Sequence, residues 1–158
     1  MTPNQSPHPK LQQATTAMRE ERYEDALINL KLILNDRPHD EIALGMLASA
    51  YAELGMKNQA RDRFDQILSF NPENPLARYQ RGLLDFEDKQ FQSALEIWQP
   101  MLDDPGDFMG HFHSALALMQ LLQPEAAKPL LTTAMDRMPV NHPLQPETAR
   151  LLDILRAN

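Results

Sequence analysis

The chain has 158 residues, no cysteine and 42% hydrophobic residues. This composition suits one globular domain with a sizeable core, and the lack of cysteine excludes disulfides, thiolate metal sites and cysteine nucleophiles. The 22 acidic residues outnumber the 15 basic ones, for a net charge of −7. Because phosphate binding needs a basic patch and no run of Lys and Arg occurs, we expect no nucleic-acid partner.

The chain shows neither a membrane span nor a signal peptide. No stretch approaches the roughly 18 apolar residues that cross a bilayer. The segment Met1–Pro9 is polar and contains three prolines, so it has no signal-peptide character and we expect a disordered tail at residues 1–7. The sequence as it stands predicts a cytoplasmic protein, and a preceding signal or anchor would make it periplasmic.

Four features recur together along the chain. Alanines recur 34, 34 and 33 residues apart, and prolines recur 34, 33 and 34 residues apart. A bulky apolar residue follows each alanine by four positions, and a small residue precedes it by twelve. The alanines are Ala26, Ala60, Ala94 and Ala127; the prolines are Pro38, Pro72, Pro105 and Pro139; the bulky residues are Leu30, Phe64, Trp98 and Leu131; the small residues are Ala14, Ala48, Gly82 and Ala115. Such self-similarity is typical of helical-repeat proteins.

In chain order, apolar periodicity predicts two helices in each of four repeats within residues 8–141. The repeats cover about 8–38, 41–72, 75–105 and 108–139, and their helices cover 8–20, 24–36, 40–54, 58–70, 75–88, 91–103, 107–121 and 124–138. Small residues let the paired helices approach, and each proline ends its repeat. Residues 142–158 form a linker and a helix over 147–156, which we expect to cap the last hairpin as repeat stacks require.

Two prolines fall inside predicted second helices. Pro100 and Pro129 each remove a helical hydrogen bond, so we expect local kinks there. Alternatively, Pro100 ends its helix early.

The pattern of the second repeat resembles that of the tetratricopeptide repeat (TPR) family. The matching residues are Leu44, Leu47, Ala48, Tyr51, Ala60, Phe64 and Pro72. The resemblance covers about Pro7 to Asn141 and implies an all-α fold, a right-handed superhelix of four helical hairpins plus a C-terminal capping helix. The third repeat departs from the family pattern at Arg78, Arg81 and Asp85, and the fourth departs at His111 and Ser114.

No constellation of residues predicts an enzyme, a cofactor or a metal site. His111 and His113 are two apart on a predicted helix, so they point about 200° apart and cannot share a metal. Asp103, Asp104 and Asp107 surround Pro105 but lack the ligand spacing of a calcium loop. We interpret this segment as a solvated turn.

The TPR resemblance also implies a binding surface. In that family the first helices line a concave face that commonly holds a ligand peptide. Helical geometry places nine first-helix residues on this face: Met46, Ser49, Tyr79, Leu83, Phe86, Met109, Phe112, Leu116 and Met119. Exposed apolar patches usually indicate an interface, so we expect a groove for a protein or peptide; alternatively, the face is interior or forms a homodimer contact.

The composition of the expected groove narrows the class of partner. Some TPR domains hold a terminal carboxylate with Lys, Arg and Asn side chains, but here the matching positions carry Leu11, Thr15, Met46, Leu76 and Gln80. An apolar or mixed segment is therefore the expected ligand. Arg78 and Arg81 either pair with Asp85 or Glu87, as neighbours on a helix often do, or meet an acidic partner.

The function predicted from these observations is a non-catalytic interaction scaffold. Two family resemblances supply alternatives. The length, the acidity and the segment His111–Ala115 resemble the TPR chaperones of type III secretion. The segment Phe91–Trp98 is similar to the final repeat of periplasmic TPR proteins of c-type cytochrome maturation.

Overall fold

The computed structural model describes residues 6–104 and 106–157, and all regular structure in that part of the chain is helical. The expected all-α fold is therefore confirmed. Most of the expected N-terminal tail, residues 1–5, and Pro105 lie outside the described residues. The α-helices are α1 (Leu11–Arg19), α2 (Tyr23–Asp36), α3 (Glu41–Glu53), α4 (Lys57–Phe70), α5 (Pro75–Glu87), α6 (Phe91–Trp98), α7 (Phe108–Gln120), α8 (Pro124–Arg137) and α9 (Gln145–Ala157).

The turn inside each helical hairpin has the same backbone geometry. One residue adopts a positive φ of 57° to 73°, and these residues are spaced 34, 34 and 33 apart: Glu21, Gly55, Lys89 and Leu122. In the last turn, the N–H of Leu122 donates to the carbonyl of Met119 (3.1 Å) and that of Gln123 donates to the carbonyl of Leu118 (2.9 Å). These two hydrogen bonds form a Schellman motif, which satisfies the last carbonyls of a helix.

The connections between repeats also recur. The side chains of Asp40, Asn74 and Asp107 accept hydrogen bonds from the backbone N–H three residues later, at 2.9 to 3.1 Å. Such side-chain caps start a helix by satisfying one of its free N–H groups. At the residues before Pro38 and Pro72 the backbone leaves the helical region, with ψ of 78° and 80°, because a following proline disfavours helical geometry.

Two predicted boundaries were wrong, both next to a proline. The first predicted helix starts at Leu11 rather than at residue 8, because Pro9 disfavours helical geometry at the preceding residue. The helix predicted over 91–103 ends at Trp98 and continues as a 3₁₀ helix, Gln99–Asp103. Of the two alternatives for Pro100, the early end is the correct one. Helix α8 continues through Pro129, and the kink expected there stays a prediction.

The chain forms two compact units, residues 1–77 and 78–158. In the first unit, α1 packs on α2, α2 on α3, and α3 on α4. Its core contains the predicted alanines together with Leu30, Leu44 and Phe64, all buried. The Glu41 carboxylate accepts hydrogen bonds from the side-chain amides of Asn71 and Asn74 at 2.6 to 3.0 Å, which fastens the segment after α4 to the start of α3.

In the second unit, α6 packs on α7, α7 on α8, and α8 on α9. One core cluster forms around the fully buried Trp98, and a second forms where Leu131 of α8 meets Leu152 and Leu155 of α9. Helix α9 therefore covers the last hairpin. Among the described helices, none has both the length and the apolar character that crossing a bilayer would require.

Candidate protein-binding surface

The nine residues expected to line a groove fall into two groups. Met46 and Ser49 lie on α3 in the first unit and are half-buried, beside Ile42, which is 63% exposed. The other seven lie on α5 and α7 in the second unit. Six of them, with His113, form what we call the α5–α7 surface: Tyr79, Leu83, Phe86, Met109, His113, Leu116 and Met119, all half-buried.

Phe112 does not belong to this surface. Its side chain is only 2% exposed and lies in the core with Leu131 of α8 and Leu152 of α9. Helix α7 carries no Asp, Glu, Lys or Arg, and a helix without a charged face is buried on several sides. That absence is a sequence signal that α7 is buried on more than one side, although it does not single out Phe112 among the apolar residues of the helix.

The α5 side of the surface is built on Trp98. Tyr79, Leu83 and Phe86 pack against the cluster around this indole, whose N–H donates to the carbonyl of Tyr79 (3.1 Å). The ring centroids of Tyr79 and Phe86 lie 6.4 and 6.1 Å from that of Trp98. The buried indole thus has its polar group satisfied, and the α5 side chains of the surface pack on it.

His113 joins the two helices at the centre of the surface. Its ring centroid lies 5.5 Å from that of Tyr79, 6.3 Å from Phe86 and 5.9 Å from Trp98. Its Nδ1 lies 3.3 Å from the Tyr79 hydroxyl oxygen and 3.1 Å from the carbonyl of Met109. In the sequence His113 directly follows Phe112 of the expected groove, but its contact with Tyr79, 34 residues earlier, depends on how the helices pack.

Burial determines the protonation of the His113 and Tyr79 side chains. Desolvation lowers the pKa of His113, although the Met109 carbonyl and the charges of Glu147 and Asp107 oppose that change. Desolvation also raises the pKa of Tyr79 to about 12, and Asp107 adds to the increase. Because burial disfavours both charged forms, the centre of the surface is neutral at pH 7.

The two arginines near this surface are engaged inside the unit. Arg81 Nη1 lies 2.6 Å from the carboxylate of Asp85, which confirms the expected helical pair. The second oxygen of that buried carboxylate accepts a hydrogen bond from Ser93 (2.5 Å). Arg78 donates to the carbonyl of Ile97 (3.1 Å). Contacts within α5 and between α5 and α6 thus explain the three departures of this repeat from the TPR pattern.

The remaining polar residues of the sequence analysis have structural roles. His111 is buried, with its Nδ1 2.7 Å from the carbonyl of Asp107. Asp104 accepts a hydrogen bond from the N–H of Gly106 (2.8 Å), and Asp107 caps α7. Within residues 6–104 and 106–157, no group of three or more His, Asp or Glu side chains is arranged to hold a metal ion.

Comparisons with known proteins agree with this architecture. Residues 17–84 match the tetratricopeptide repeat family model. Similar solved structures include MamA from Desulfovibrio magneticus RS-1, which is 22% identical with a TM-score of 0.76 over 94% of this chain and 92% of that chain. The MamA AMB-1 structure is 17% identical with a TM-score of 0.76 over 94% and 79% of the two chains.

A third structure, a tetratricopeptide repeat protein from Parabacteroides merdae, is 16% identical with a TM-score of 0.81. The match covers 94% of this chain and 59% of that one. No curated protein sequence matches the chain. At these identities the structural matches support the fold, and the function has to be argued from the surface.

Proposed function

We propose that this chain, a tetratricopeptide repeat protein, is a non-catalytic interaction scaffold that holds a segment of a partner protein on the α5–α7 surface. The observation that carries the proposal is the set of half-buried aromatic, Leu and Met side chains on α5 and α7. Each of these side chains keeps part of its apolar area in contact with solvent, and apolar area left open on neighbouring side chains usually marks an interface.

The chemistry of these side chains suits protein recognition. Aromatic residues contribute large contact areas at interfaces, and the thioethers of Met109 and Met119 adapt to irregular partners. Tyr79 and His113 add neutral hydrogen-bonding groups at the centre of the surface. An apolar or mixed segment, helical or extended, fits this combination. The chaperone and cytochrome-maturation hypotheses would use the same surface with different partners.

The test is affinity capture from a lysate of the source organism, read by mass spectrometry. We would compare the wild type with the double variant Leu83→Gln, Met109→Gln, which removes two half-buried apolar side chains from the surface. We expect specific partners to be depleted about tenfold or more, because truncating a hot-spot residue at the centre of an interface costs about 2 kcal/mol or more.

The matched control is Ile28→Gln, Leu32→Gln on α2, which removes two exposed apolar side chains elsewhere. Circular dichroism would verify that both variants keep the helical content of the wild type. Equal capture by all three proteins would overturn the proposal. If the α5–α7 variant loses only self-association, measured by light scattering, the occupant of the surface is a second copy of the chain and not a partner segment.

A further inference from the structure

We infer that the partner segment donates a hydrogen bond to Nε2 of His113 from a neutral N–H or O–H group that lies between its apolar side chains. This inference rests on the proposed function and specifies the chemistry of its partner. The observation behind it is that the Nδ1 atom of His113 is bonded inside the unit, whereas its Nε2 atom is an open acceptor at the centre of the α5–α7 surface.

The contacts of Nδ1 determine which ring nitrogen of His113 carries the proton. Nδ1 lies 3.1 Å from the carbonyl oxygen of Met109 and 3.3 Å from the hydroxyl oxygen of Tyr79. A carbonyl oxygen can only accept a hydrogen bond, so a proton on Nε2 would leave the Nδ1 lone pair facing the lone pairs of that oxygen. Because the hydrogen bond of one ring nitrogen sets the tautomer, the neutral ring carries its proton on Nδ1, and Nε2 is the acceptor.

The Nε2 atom of His113 is reached by solvent. In the described part of the chain, the buried side-chain atoms without a hydrogen-bond partner are Arg63 Nε, Asp107 Oδ2 and Ser114 Oγ. The hydrogen bonds of the His113 ring within the same residues all involve Nδ1. Nε2 therefore lacks a partner there without being buried, which places it on the open side of the surface.

The rings around His113 keep Nε2 in this position. The rings of Tyr79, Phe86 and Phe112 meet the imidazole edge to face, with centroid distances of 5.2 to 6.3 Å, an arrangement that aromatic pairs prefer. Turning the imidazole over would also break the hydrogen bond from Nδ1 to Met109. Nε2 thus remains the nitrogen that an approaching partner meets.

A partner that covers the surface removes water from this acceptor. An acceptor that is buried without a donor destabilises the complex, whereas a paired one does not. A site with such a group therefore discriminates strongly against a ligand that cannot bond to it. Segments that place a donor opposite Nε2 are selected, and purely apolar segments are disfavoured.

The side chains next to Nε2 indicate that the donor is neutral. Leu83, Phe86, Met109 and Leu116 share the surface with His113 and offer apolar contacts. An ammonium or guanidinium group would lose its hydration among them at a much larger cost than an uncharged donor. A hydroxyl, a side-chain amide or a backbone N–H, flanked by apolar side chains, fits both the acceptor and its surroundings.

The experiment selects random peptides displayed on phage for binding to the intact chain near pH 7, where His113 is neutral. Peptides that the Leu83→Gln, Met109→Gln variant fails to bind occupy the α5–α7 surface and are synthesised. Fluorescence anisotropy then gives their affinities for the wild type and for His113→Phe, which keeps an aromatic ring but removes Nε2. The control is His39→Phe in the first unit, the same change at an exposed position, and circular dichroism verifies the helical content of each variant.

A double-mutant cycle identifies the donor on each peptide. Each hydroxyl or amide side chain is replaced in turn by an apolar group of similar shape, and each backbone N–H by an ester oxygen, which separates the two sources of the donor. Removing the donor that pairs with Nε2 should weaken binding to the wild type and leave binding to His113→Phe unchanged.

We expect His113→Phe to lower the affinity of the selected peptides about tenfold, because it leaves a covered donor unpaired, and His39→Phe to leave it unchanged. Unchanged affinity for His113→Phe, or independent effects of the two changes for every donor tested, would overturn the inference while leaving the scaffold function in place. Selection of no peptide that depends on Leu83 and Met109 would overturn the inference too, and lysate capture would then decide the function separately.

Discussion

At the scale of single residues, the hairpin turns place four different side chains in one strained backbone position. Gly55 adopts its positive φ without a steric penalty, but Glu21, Lys89 and Leu122 occupy the equivalent positions. A non-glycine residue in this region costs roughly 1–2 kcal/mol. The repeat tolerates that cost because the Schellman hydrogen bonds of each turn require this geometry.

Leu122→Gly should therefore stabilise the chain. The Leu122 side chain is 88% exposed, so its removal sacrifices little packing. Relief of the backbone strain, less the greater freedom of glycine in the unfolded chain, should raise the free energy of unfolding by about 0.5–1 kcal/mol. Urea unfolding followed by circular dichroism measures the change.

The control for this prediction is Leu122→Ala, which removes the same side chain but keeps the Cβ that causes the strain. We expect its stability to match that of the wild type. If both variants are equally stabilised, the gain comes from removing an exposed apolar side chain, and the strain argument is wrong.

At the scale of helices, the third hairpin differs from the other three at two residues whose sizes compensate each other. In every repeat, the small residue of the first helix lies 16 positions before the bulky residue of the second. Three repeats pair alanine with Leu or Phe, whereas the third pairs Gly82 with Trp98. A Cβ placed on Gly82 would overlap the indole of Trp98, with Cδ1 only 2.7 Å away and Nε1 closer. The larger ring therefore requires the smaller partner.

Gly82→Ala should destabilise the chain through this contact, although alanine favours helices. Overpacking typically costs 1–3 kcal/mol, more than the gain of about 1 kcal/mol in helix propensity. In a Trp98→Phe background the smaller ring leaves room, so the same substitution should be neutral or stabilising. Urea unfolding of the four proteins gives the coupling energy, and an equal effect of Gly82→Ala in both backgrounds would contradict the argument.

The spacing of a few residue types was enough to predict most helices of this chain, because each hairpin needs a small residue, a bulky residue and a terminating proline at fixed places. The candidate surface was harder to predict. Phe112 and Leu116 share one helix, are both apolar and both pack against the core formed with α8 and α9, yet Phe112 is buried and Leu116 only half-buried. The contact between His113 and Tyr79 was missed because the two residues lie 34 positions apart. Both properties depend on neighbouring helices, which local periodicity does not describe.

At the scale of the whole molecule, the last hairpin of a repeat protein needs a further element that covers its apolar face. Each hairpin buries its apolar face against the next one, so the last hairpin would expose its own face without a further helix. Helix α9 provides that cover. Thr148, Leu152 and Leu155 face α8 and are buried, and the Thr148 hydroxyl donates to the carbonyl of Leu144 (2.8 Å). Asp153 and Arg156 of α9 lie outside this buried stripe and are exposed.

Leu152→Ala should therefore cost far more stability than Ile154→Ala, although the two residues are neighbours on α9. Leu152 is 6% exposed within the core that includes Phe112 and Leu131, whereas Ile154 is 48% exposed. Truncating a buried leucine typically costs 2–5 kcal/mol, and a surface substitution usually changes stability by about 0.5 kcal/mol or less. Because Leu152 helps cover the last hairpin, its variant should also bind more of a dye that reports exposed apolar surface. Urea unfolding and dye fluorescence on both variants test this, and equal losses of stability would mean that α9 does not close the repeat array.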